Sequence, residues 1–283
     1  MEMYRIPVGR VVETIINFLV ENFAFATRGF AALTSTGIEW IVSALMYPPP
    51  IVVILIFTGL AWFLSKSWKI GLFTLLGLLL IWNMQLWGPT MSTLALILVS
   101  TLIAVGIGIP IGIAAALSDI AYKIITPILD VMQTMPAFVY LIPAIPFFGL
   151  GAVGAIFSTV VFSVPPCIRL TCLGIKQVPK ELIEAADAFG SSKWQKLFKV
   201  QLPIAKTTIL AGINQTIMLA LSMVVIAAMI GARGLGGEVW RAIQRLEMGR
   251  GFEAGIGIVI VAIILDRVMQ AYGGKGQQQT QQE

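Results

Sequence analysis

The chain has 283 residues and a formal net charge of +5; 58% of its residues are hydrophobic, 12% are charged, and the mean hydropathy is +0.90. A soluble domain carries roughly 25% charged residues, so this composition leaves too little polar surface for a water-soluble enzyme. Histidine is absent, which removes the commonest near-neutral general base and metal ligand. We therefore expect an all-helical membrane protein with no catalytic residues and no metal site.

The first fifty residues differ from the rest of the chain in their pattern of apolar and polar residues. Apolar residues recur at three- and four-residue steps, while a second face is polar, which predicts an amphipathic helix with too many charges to span a membrane. It would lie on the outer membrane face or pack against the bundle, as a scaffold or a simple surface anchor. A second piece is predicted at 38–45. The apolar positions are Val12, Ile16, Leu19, Phe23, Ala26 and Phe30, and the polar ones are Glu13, Asn17 and Glu21.

Residues 51–272 contain seven long apolar runs. A spanning helix needs about 20 mostly apolar residues, and most of the runs approach or exceed that length. We therefore predict about seven transmembrane helices, of which the first is the shortest, followed by a flexible tail at 273–283. The runs are 51–64, 70–87, 91–117, 135–150, 151–175, 209–230 and 252–269.

The lysines predict the orientation of the bundle. If the loop 176–208 is cytosolic, seven alternating spans place all ten lysines on the cytosolic side, as the positive-inside rule requires. The N-terminus then lies outside and the C-terminus in the cytosol. The loop 231–251 opposes this arrangement because it places four arginines outside, although its neighbouring glutamates nearly neutralise them. The arginines are Arg233, Arg241, Arg245 and Arg250, and the glutamates are Glu238, Glu247 and Glu253.

The longest polar loop, 176–208, has the pattern of two short helices joined at a corner. Pro179 suits the first turn of the first helix, and Gly190 stands where that helix needs a left-handed cap. Ser192 and Gln195 have the spacing of a capping box at the start of the second helix. We call residues 179–203 the elbow.

The elbow is also predicted to expose large apolar side chains. Its second helix is expected to end at Pro203, which leads the chain back to the membrane. Phe189, Trp194 and Phe198 would then face water, and exposed aromatic patches are typical of interaction sites. The alternative, in which these rings fold back onto the bundle or into lipid headgroups, stays open from the pattern alone.

The elbow resembles the "EAA" loop of permease subunits of bacterial binding-protein-dependent ABC importers. The matching residues are Glu184, Ala185, Ala186, Gly190, Leu202 and Pro203, with Val200 where the family usually has isoleucine. Residues 133–143 (QTMPAFVYLIP) and 230–237 (IGARGLGG) are similar to the glycine betaine/proline betaine branch of these importers. The resemblance covers roughly residues 50–272.

This resemblance implies a MetI-like permease fold in a bacterial cell membrane, working as a homodimer. The elbow would dock on an ABC ATPase subunit and transmit its motion; the residues implied in this coupling are Glu184, Ala185, Ala186, Phe189, Gly190, Trp194, Phe198, Leu202 and Pro203. No Gly-x4-Gly-Lys-Ser/Thr motif occurs in the chain. We therefore expect ATP and Mg to bind the ATPase, a separate extracellular protein to deliver substrate, membrane lipid to surround the chain, and no nucleic acid to bind.

The implied substrate, glycine betaine, carries a quaternary ammonium that aromatic faces can hold. Candidate pathway residues are Met135, Phe138, Tyr140, Phe147 and Phe148, with core or lipid-facing packing as the alternative for each. The glycines of the loop 231–237 allow tight turns and would shape an outer gate, unless the loop is a plain flexible connection. These glycines are Gly231, Gly234, Gly236 and Gly237.

The function indicated is thus an ATP-driven importer permease for glycine betaine or a related compatible solute. The alternative is a secondary transporter or channel driven by an ion gradient. Such proteins usually place acidic or histidine relays in mid-membrane, whereas Asp119, Asp130 and Asp266 are predicted at span edges. Arg169 is expected to snorkel toward the cytosolic surface.

Overall fold

The computed structural model describes residues 8–22 and 24–279, which form helices and turns without any strand. This agrees with the all-helical fold expected from composition. The elements are α1 (Val8–Asn22), α2 (Ala24–Met46), α3 (Pro50–Ser65), α4 (Trp68–Asn83), α5 (Trp87–Leu117), α6 (Asp119–Thr134), a 3₁₀ turn (Ala137–Tyr140), α7 (Leu141–Phe148), α8 (Ala152–Lys176), α9 (Lys180–Ala188), α10 (Lys193–Lys196), a π turn (Leu197–Gln201), α11 (Leu202–Ala228), α12 (Leu235–Arg245) and α13 (Met248–Gln279).

The N-terminal segment forms two helices, α1 and α2, and the predicted piece 38–45 is the second half of α2. On α1, Ile16 and Leu19 are half-buried while Glu13, Asn17 and Glu21 are exposed, as an amphipathic helix requires. The side chains of Val12, Phe23, Ala26 and Phe30 lie outside the described part of the chain. Helix α2 contacts α5, α7 and α8, so it packs against the bundle.

All seven predicted apolar runs lie on helices, but they do not form seven separate long spans. By length and composition, three helical stretches of the described chain can each cross a membrane: α5, α8 and the continuous stretch Lys193–Ala228. Two bent pairs, Ala31–Met46 with α3 and α6 with 137–148, raise the number to five. Helix α4 has 16 residues, or about 24 Å, less than a hydrocarbon core of about 30 Å.

The segment 135–150, predicted as one span, is broken. Met135 is extended before Pro136, and a 3₁₀ turn and α7 follow at 111° to α6. The residue before a proline is disfavoured in the α conformation, which explains the break. Helix α13 extends to Gln279; residues 280–283 lie outside the described range, and the flexibility of the tail 273–283 stays a prediction.

Helices α5, α8 and α11 form the centre of the bundle through close backbone approach. A Cβ atom on Gly112 of α5 would lie 2.6 Å from Cβ of Thr171 and 2.7 Å from the carbonyl oxygen of Ile168, both on α8. Between α8 and α11, Gly174 faces Ala205 in the same way. Since lipid offers no hydrophobic force between helices, such small-residue contacts are the main source of their packing energy.

Ionic contacts join α6 to α8. Arg169 of α8 donates to Asp130 of α6 at 2.7 Å, so Arg169 is paired within the protein, and its snorkelling toward the cytosolic surface stays a prediction. About two turns further along, at the end of α8, Lys176 Nζ lies 3.5 Å from the ring centroid of Tyr122. Both pairs hold α6 against the half of α8 that leads into the elbow.

The packing of α5 against α8 can be tested with two alanine variants of one helix. We expect Gly112→Ala to lower the thermal unfolding midpoint of the purified protein, because overpacking costs about 1–3 kcal/mol. Gly106→Ala is the matched control, since nothing lies within 4 Å of a Cβ atom there. Alanine favours helices over glycine by about 1 kcal/mol, so the control should not lose stability. Equal midpoints for the two variants would contradict the packing argument.

Candidate functional site

The corner of the elbow is a capped helix end. Gly190 has φ +73°, in the left-handed region. The Ser191 N–H donates to the Ala186 carbonyl at 3.0 Å and the Gly190 N–H donates to the Asp187 carbonyl at 2.9 Å. These two bonds define a Schellman motif, as predicted from the position of Gly190. Pro179 is the N-cap residue of α9, one position before the first turn in which it was expected.

The second arm of the elbow begins with the predicted capping box. The Gln195 N–H donates to Ser192 Oγ, and the Ser192 N–H donates to Gln195 Oε1 at 2.8 Å. The short helix α10 follows and then widens into the π turn 197–201. The arm is therefore fixed at its start by side-chain hydrogen bonds.

The prediction that Pro203 ends the second helix was wrong. The helical stretch runs without a break from Lys193 to Ala228, and Pro203 is the second residue of α11. At the preceding π turn the Leu202 N–H donates to the carbonyl of Leu197, five residues back. A proline in a regular helix clashes with the carbonyl four residues before it, and the wider turn relieves that crowding. The second arm of the elbow is consequently one continuous helix with α11.

Two contacts make the elbow rigid. Lys196 Nζ and Asp187 Oδ1 form an ion pair at 2.5 Å that joins the two arms. Leu197 is fully buried in a cluster with Ile175 of α8 and Ala205 of α11. This cluster lies where α8 ends and α11 begins, so the second arm of the elbow is packed against both helices.

The aromatic side chains of the elbow are exposed, as predicted. The exposed fractions are 90% for Phe189, 67% for Trp194 and 59% for Phe198. Trp194 and Phe198 stack with ring centroids 5.9 Å apart, so they present one flat apolar surface. Of the other residues implied in coupling, Glu184, Ala185 and Pro203 are exposed, and Ala186 and Leu202 are half-buried.

The glycine-rich turn lies at the opposite end of α11. The Ala232 N–H donates to the Ala227 carbonyl and the Gly231 N–H to the Ala228 carbonyl, which again defines a Schellman motif, with Gly231 at φ +92°. The Gly151 N–H donates to the carbonyl of Ile230 at 2.7 Å, which joins the turn to the start of α8. The turn is therefore an ordered junction, and the alternative of a plain flexible connection does not describe it.

Three of the four predicted gate glycines are required by space or backbone conformation. Gly234 has φ +132°, and a Cβ atom there would lie 2.5 Å from Thr93 Oγ1. The same hydroxyl oxygen accepts a hydrogen bond from the Leu235 N–H at 2.8 Å. A Cβ atom on Gly236 would collide with the carbonyl of Val224, whereas Gly237 has only an ordinary contact. The role of these residues as a gate stays a prediction.

The predicted pathway aromatics do not converge on one cage. Tyr140 is buried, donates to the carbonyl of Met132 and packs edge-to-face on Phe162 at 5.8 Å, so it is a core residue. Phe147 and Phe148 are half-buried and form a separate ring cluster, in which Phe148 lies 4.8 Å from Phe157. Of the remaining two, Met135 is half-buried and Phe138 is exposed.

Two polar contacts were missed from the sequence. Thr93 lies in a span without charged residues. Its hydrogen bond could not be predicted from the sequence pattern, because its partner Leu235 is 142 residues away. Asn214 of α11 donates to Asp266 of α13 at 2.9 Å, and Gln270 donates to the same carboxylate. A polar residue inside a predicted span could have drawn attention to Asn214.

Comparisons with known proteins define the class to which this fold and elbow belong. Residues 108–273 match the family "Binding-protein-dependent transport system inner membrane component". This match covers more than half of the chain, so the chain belongs to that family of multi-pass inner-membrane proteins.

Within this class, the chain is 53% identical over 266 residues to the glycine betaine transport system permease protein OpuAB of Bacillus subtilis, covering 94% of both chains. It is 51% identical to the glycine betaine/carnitine transport permease protein GbuB of Listeria monocytogenes, covering 95% of this chain and 96% of that protein. A chain of the inward-facing MetNI methionine ABC transporter matches with a TM-score of 0.58 at 24% identity, over 67% of this chain and 93% of that one. The last likeness shows the fold alone and confirms the predicted MetI-like architecture.

The corner conformation generates a prediction. We expect Gly190→Val to increase amide hydrogen exchange across 186–192, because a β-branched residue is strained at φ +73°. Gly190→Asn is the matched control, since asparagine tolerates the left-handed region, and nothing lies within 4 Å of a Cβ atom at this position. Exchange measured by mass spectrometry should rank valine above asparagine and asparagine close to wild type. Identical exchange in both variants would show that the left-handed cap does not hold the corner.

The buried hydroxyl of Thr93 generates a second prediction. Thr93→Val leaves the Leu235 N–H without its acceptor, and an unpaired buried donor costs about 1–3 kcal/mol. We expect a lower thermal midpoint and faster exchange across 229–237. Thr93→Ser keeps the hydroxyl and should retain slow exchange in that segment. If serine and valine loosen the turn to the same extent, the hydrogen bond is not what orders it.

Proposed function

We propose that this chain is the membrane-spanning permease subunit of an ATP-driven importer for glycine betaine or a closely related compatible solute. The single observation that carries the proposal is the elbow, which exposes aromatic side chains and whose second arm continues without a break into α11. The identity of the substrate is supported by the names of two relatives that match over almost their whole length.

The elbow has the mechanical properties of a coupling element. Its capped corner and its Lys196–Asp187 ion pair resist bending, and α11 extends from it for 27 residues, or about 40 Å. A force on Trp194 would therefore reach the opposite turn through one continuous helix, and a force on Phe189 would first cross the capped corner. Rigid-body motion of this kind is a common way to convert a local event into a change of access.

The exposed aromatic surface needs a protein to cover it, and we propose an ABC ATPase subunit. That subunit would bind ATP and Mg and carry out hydrolysis, while the present chain contributes no catalytic residue. The coupling residues remain those inferred from the family resemblance, with Phe189, Trp194 and Phe198 as the anchors because they expose the largest apolar rings. A second copy of the chain and an extracellular binding protein would complete the importer.

The distribution of charge supports the proposed orientation, with the elbow and C-terminus in the cytosol and the N-terminus outside. Lys176 ends α8 at the elbow, and Lys180, Lys193, Lys196 and Lys199 belong to the elbow itself. Cytosolic loops are rich in such residues.

The arginines at the opposite end, which conflicted with this orientation, are partly neutralised. Arg241 pairs with Glu238 at 2.5 Å and Arg250 with Glu247 at 3.5 Å. The positive-inside rule counts Lys and Arg rather than net charge, so these arginines still oppose the orientation, and the lysines at the elbow carry the argument for it.

The proposal can be tested by reconstitution and by one matched pair of variants. The wild-type permease is reconstituted in vesicles together with its ATPase and binding protein. These vesicles should take up glycine betaine only when ATP is present on the side of the membrane that the ATPase faces. We expect Phe189→Ser to reduce ATPase co-purification about tenfold or more, because interface aromatics of this kind are worth 2 kcal/mol or more. Phe252→Ser is the control, since Phe252 is 77% exposed near the start of α13, away from the elbow.

Uptake that persists without ATP but stops when an ion gradient is dissipated would contradict the proposal. So would ATPase binding that is lost equally in the Phe189 and Phe252 variants, because the elbow would then have no special role.

A further inference from the structure

A polar groove lies at the end of the bundle opposite the elbow. It has a volume of about 650 Å³, within the range of about 300–1,000 Å³ typical of small-molecule sites. Four elements form it: the second half of α2, the first turns of α5, the start of α8, and the glycine-rich turn. Its lining residues are Ile38, Glu39, Val42, Ser43, Ser92, Leu96, Gly151, Ala152, Gly231 and Arg233. We call it the outer groove.

The outer groove contains one acidic and one basic side chain, Glu39 and Arg233, and both are exposed to it. Among the residues that the structure describes, neither takes part in an ion pair or side-chain hydrogen bond. This distinguishes Arg233 from its neighbour Arg241, whose charge is already neutralised by Glu238. The groove thus presents two unpaired charges of opposite sign.

The position of Arg233 is fixed by the backbone. It lies between Gly231 and Gly234, whose positive φ angles and close contacts hold the turn in place. A second groove of about 460 Å³ shares Ser92, Gly231 and Arg233 with the first. Arg233 therefore lines both cavities.

Glu39, the acidic residue of the outer groove, belongs to α2, which precedes the segment that matches the family. The family match begins at residue 108, so α2 and its Glu39 precede the matched segment. Ser92 and Leu96 of α5 also precede it. The Glu39 carboxylate therefore lies before the segment that matches the family, in a region that the glycine betaine permease relatives also cover.

We propose that the outer groove is an entry site that holds a small zwitterion by both ends, with Arg233 on the carboxylate and Glu39 on the cationic group. Arginine donates to carboxylates through a planar pair of N–H groups. A quaternary ammonium has no N–H to donate, so its recognition by Glu39 is through charge attraction. The inference rests on the proposed function, because that function makes the ligand glycine betaine or a close analogue.

The first test measures occupancy directly. Ser92→Cys is prepared in the permease–ATPase complex without binding protein, and its modification by a methanethiosulfonate reagent is followed by mass spectrometry of the peptide that contains residue 92. Cys167 and Cys172 are buried and do not affect that peptide. Glycine betaine should slow the modification of the cysteine at position 92. The glycine betaine concentration that gives half-maximal protection should rise about tenfold with Glu39→Gln or Arg233→Gln, since each substitution removes one charged contact.

Arg245→Gln is the matched control, because Arg245 ends α12 on the same side of the bundle but does not line the groove. It should leave protection unchanged. Absence of protection in the Ser92→Cys protein, or equal protection in all variants, would overturn the inference.

The second test uses uptake and needs no cysteine. With the binding protein present, Glu39→Gln and Arg233→Gln should each lower glycine betaine uptake about tenfold while ATP hydrolysis stays stimulated by the loaded binding protein. Loss of that stimulation together with weaker binding-protein affinity would show a docking surface and overturn the entry site. Variants that transport like wild type would also overturn it. Failure of the wild-type complex to take up glycine betaine would instead reject the proposed function, so the two failures are distinguishable.

Discussion

Close approach of α5, α8 and α11 is the constraint on which the rest of this protein depends. Lipid surrounds these helices with an apolar medium, so burying one more leucine between them gains little. The packing comes instead from Gly108, Gly112 and Gly174, each of which brings a neighbouring helix within contact distance of its backbone. Because the three helices are held at that distance, their ends have fixed positions, and both the elbow and the glycine-rich turn are built on those ends.

Helix α11 connects the two functional ends of the molecule. At one end the π turn lets the elbow continue into the helix despite Pro203. At the other, the Gly231 cap and the hydrogen bond from Leu235 to Thr93 bind the helix end to α5. Helix α11 therefore joins the elbow to the turn that carries Arg233 and forms part of the wall of the outer groove.

The N-terminal helix α2 contributes a charged residue, Glu39, to a groove whose other walls come from α5, α8 and the glycine-rich turn. The family match does not include α1, α2, α3 or α4, yet α2 packs on α5, α7 and α8 and completes the outer groove with Glu39. In the proposed entry site, α2 thus contributes the acidic residue although it precedes the segment that matches the family.

The sequence by itself determined the membrane environment, the helical class, the two caps of the elbow and its aromatic surface, because each depends on composition or on residues a few positions apart. Only the tertiary structure decided that Arg169 pairs with Asp130, that Tyr140 is a core residue, that helix 193–228 passes through Pro203, and that Glu39 and Arg233 share a cavity. Most of these features join residues far apart in the chain, and the path of the helix through Pro203 depends on the burial of Leu197 against α8 and α11. Local patterns cannot specify such contacts, because they arise only when the helices are packed.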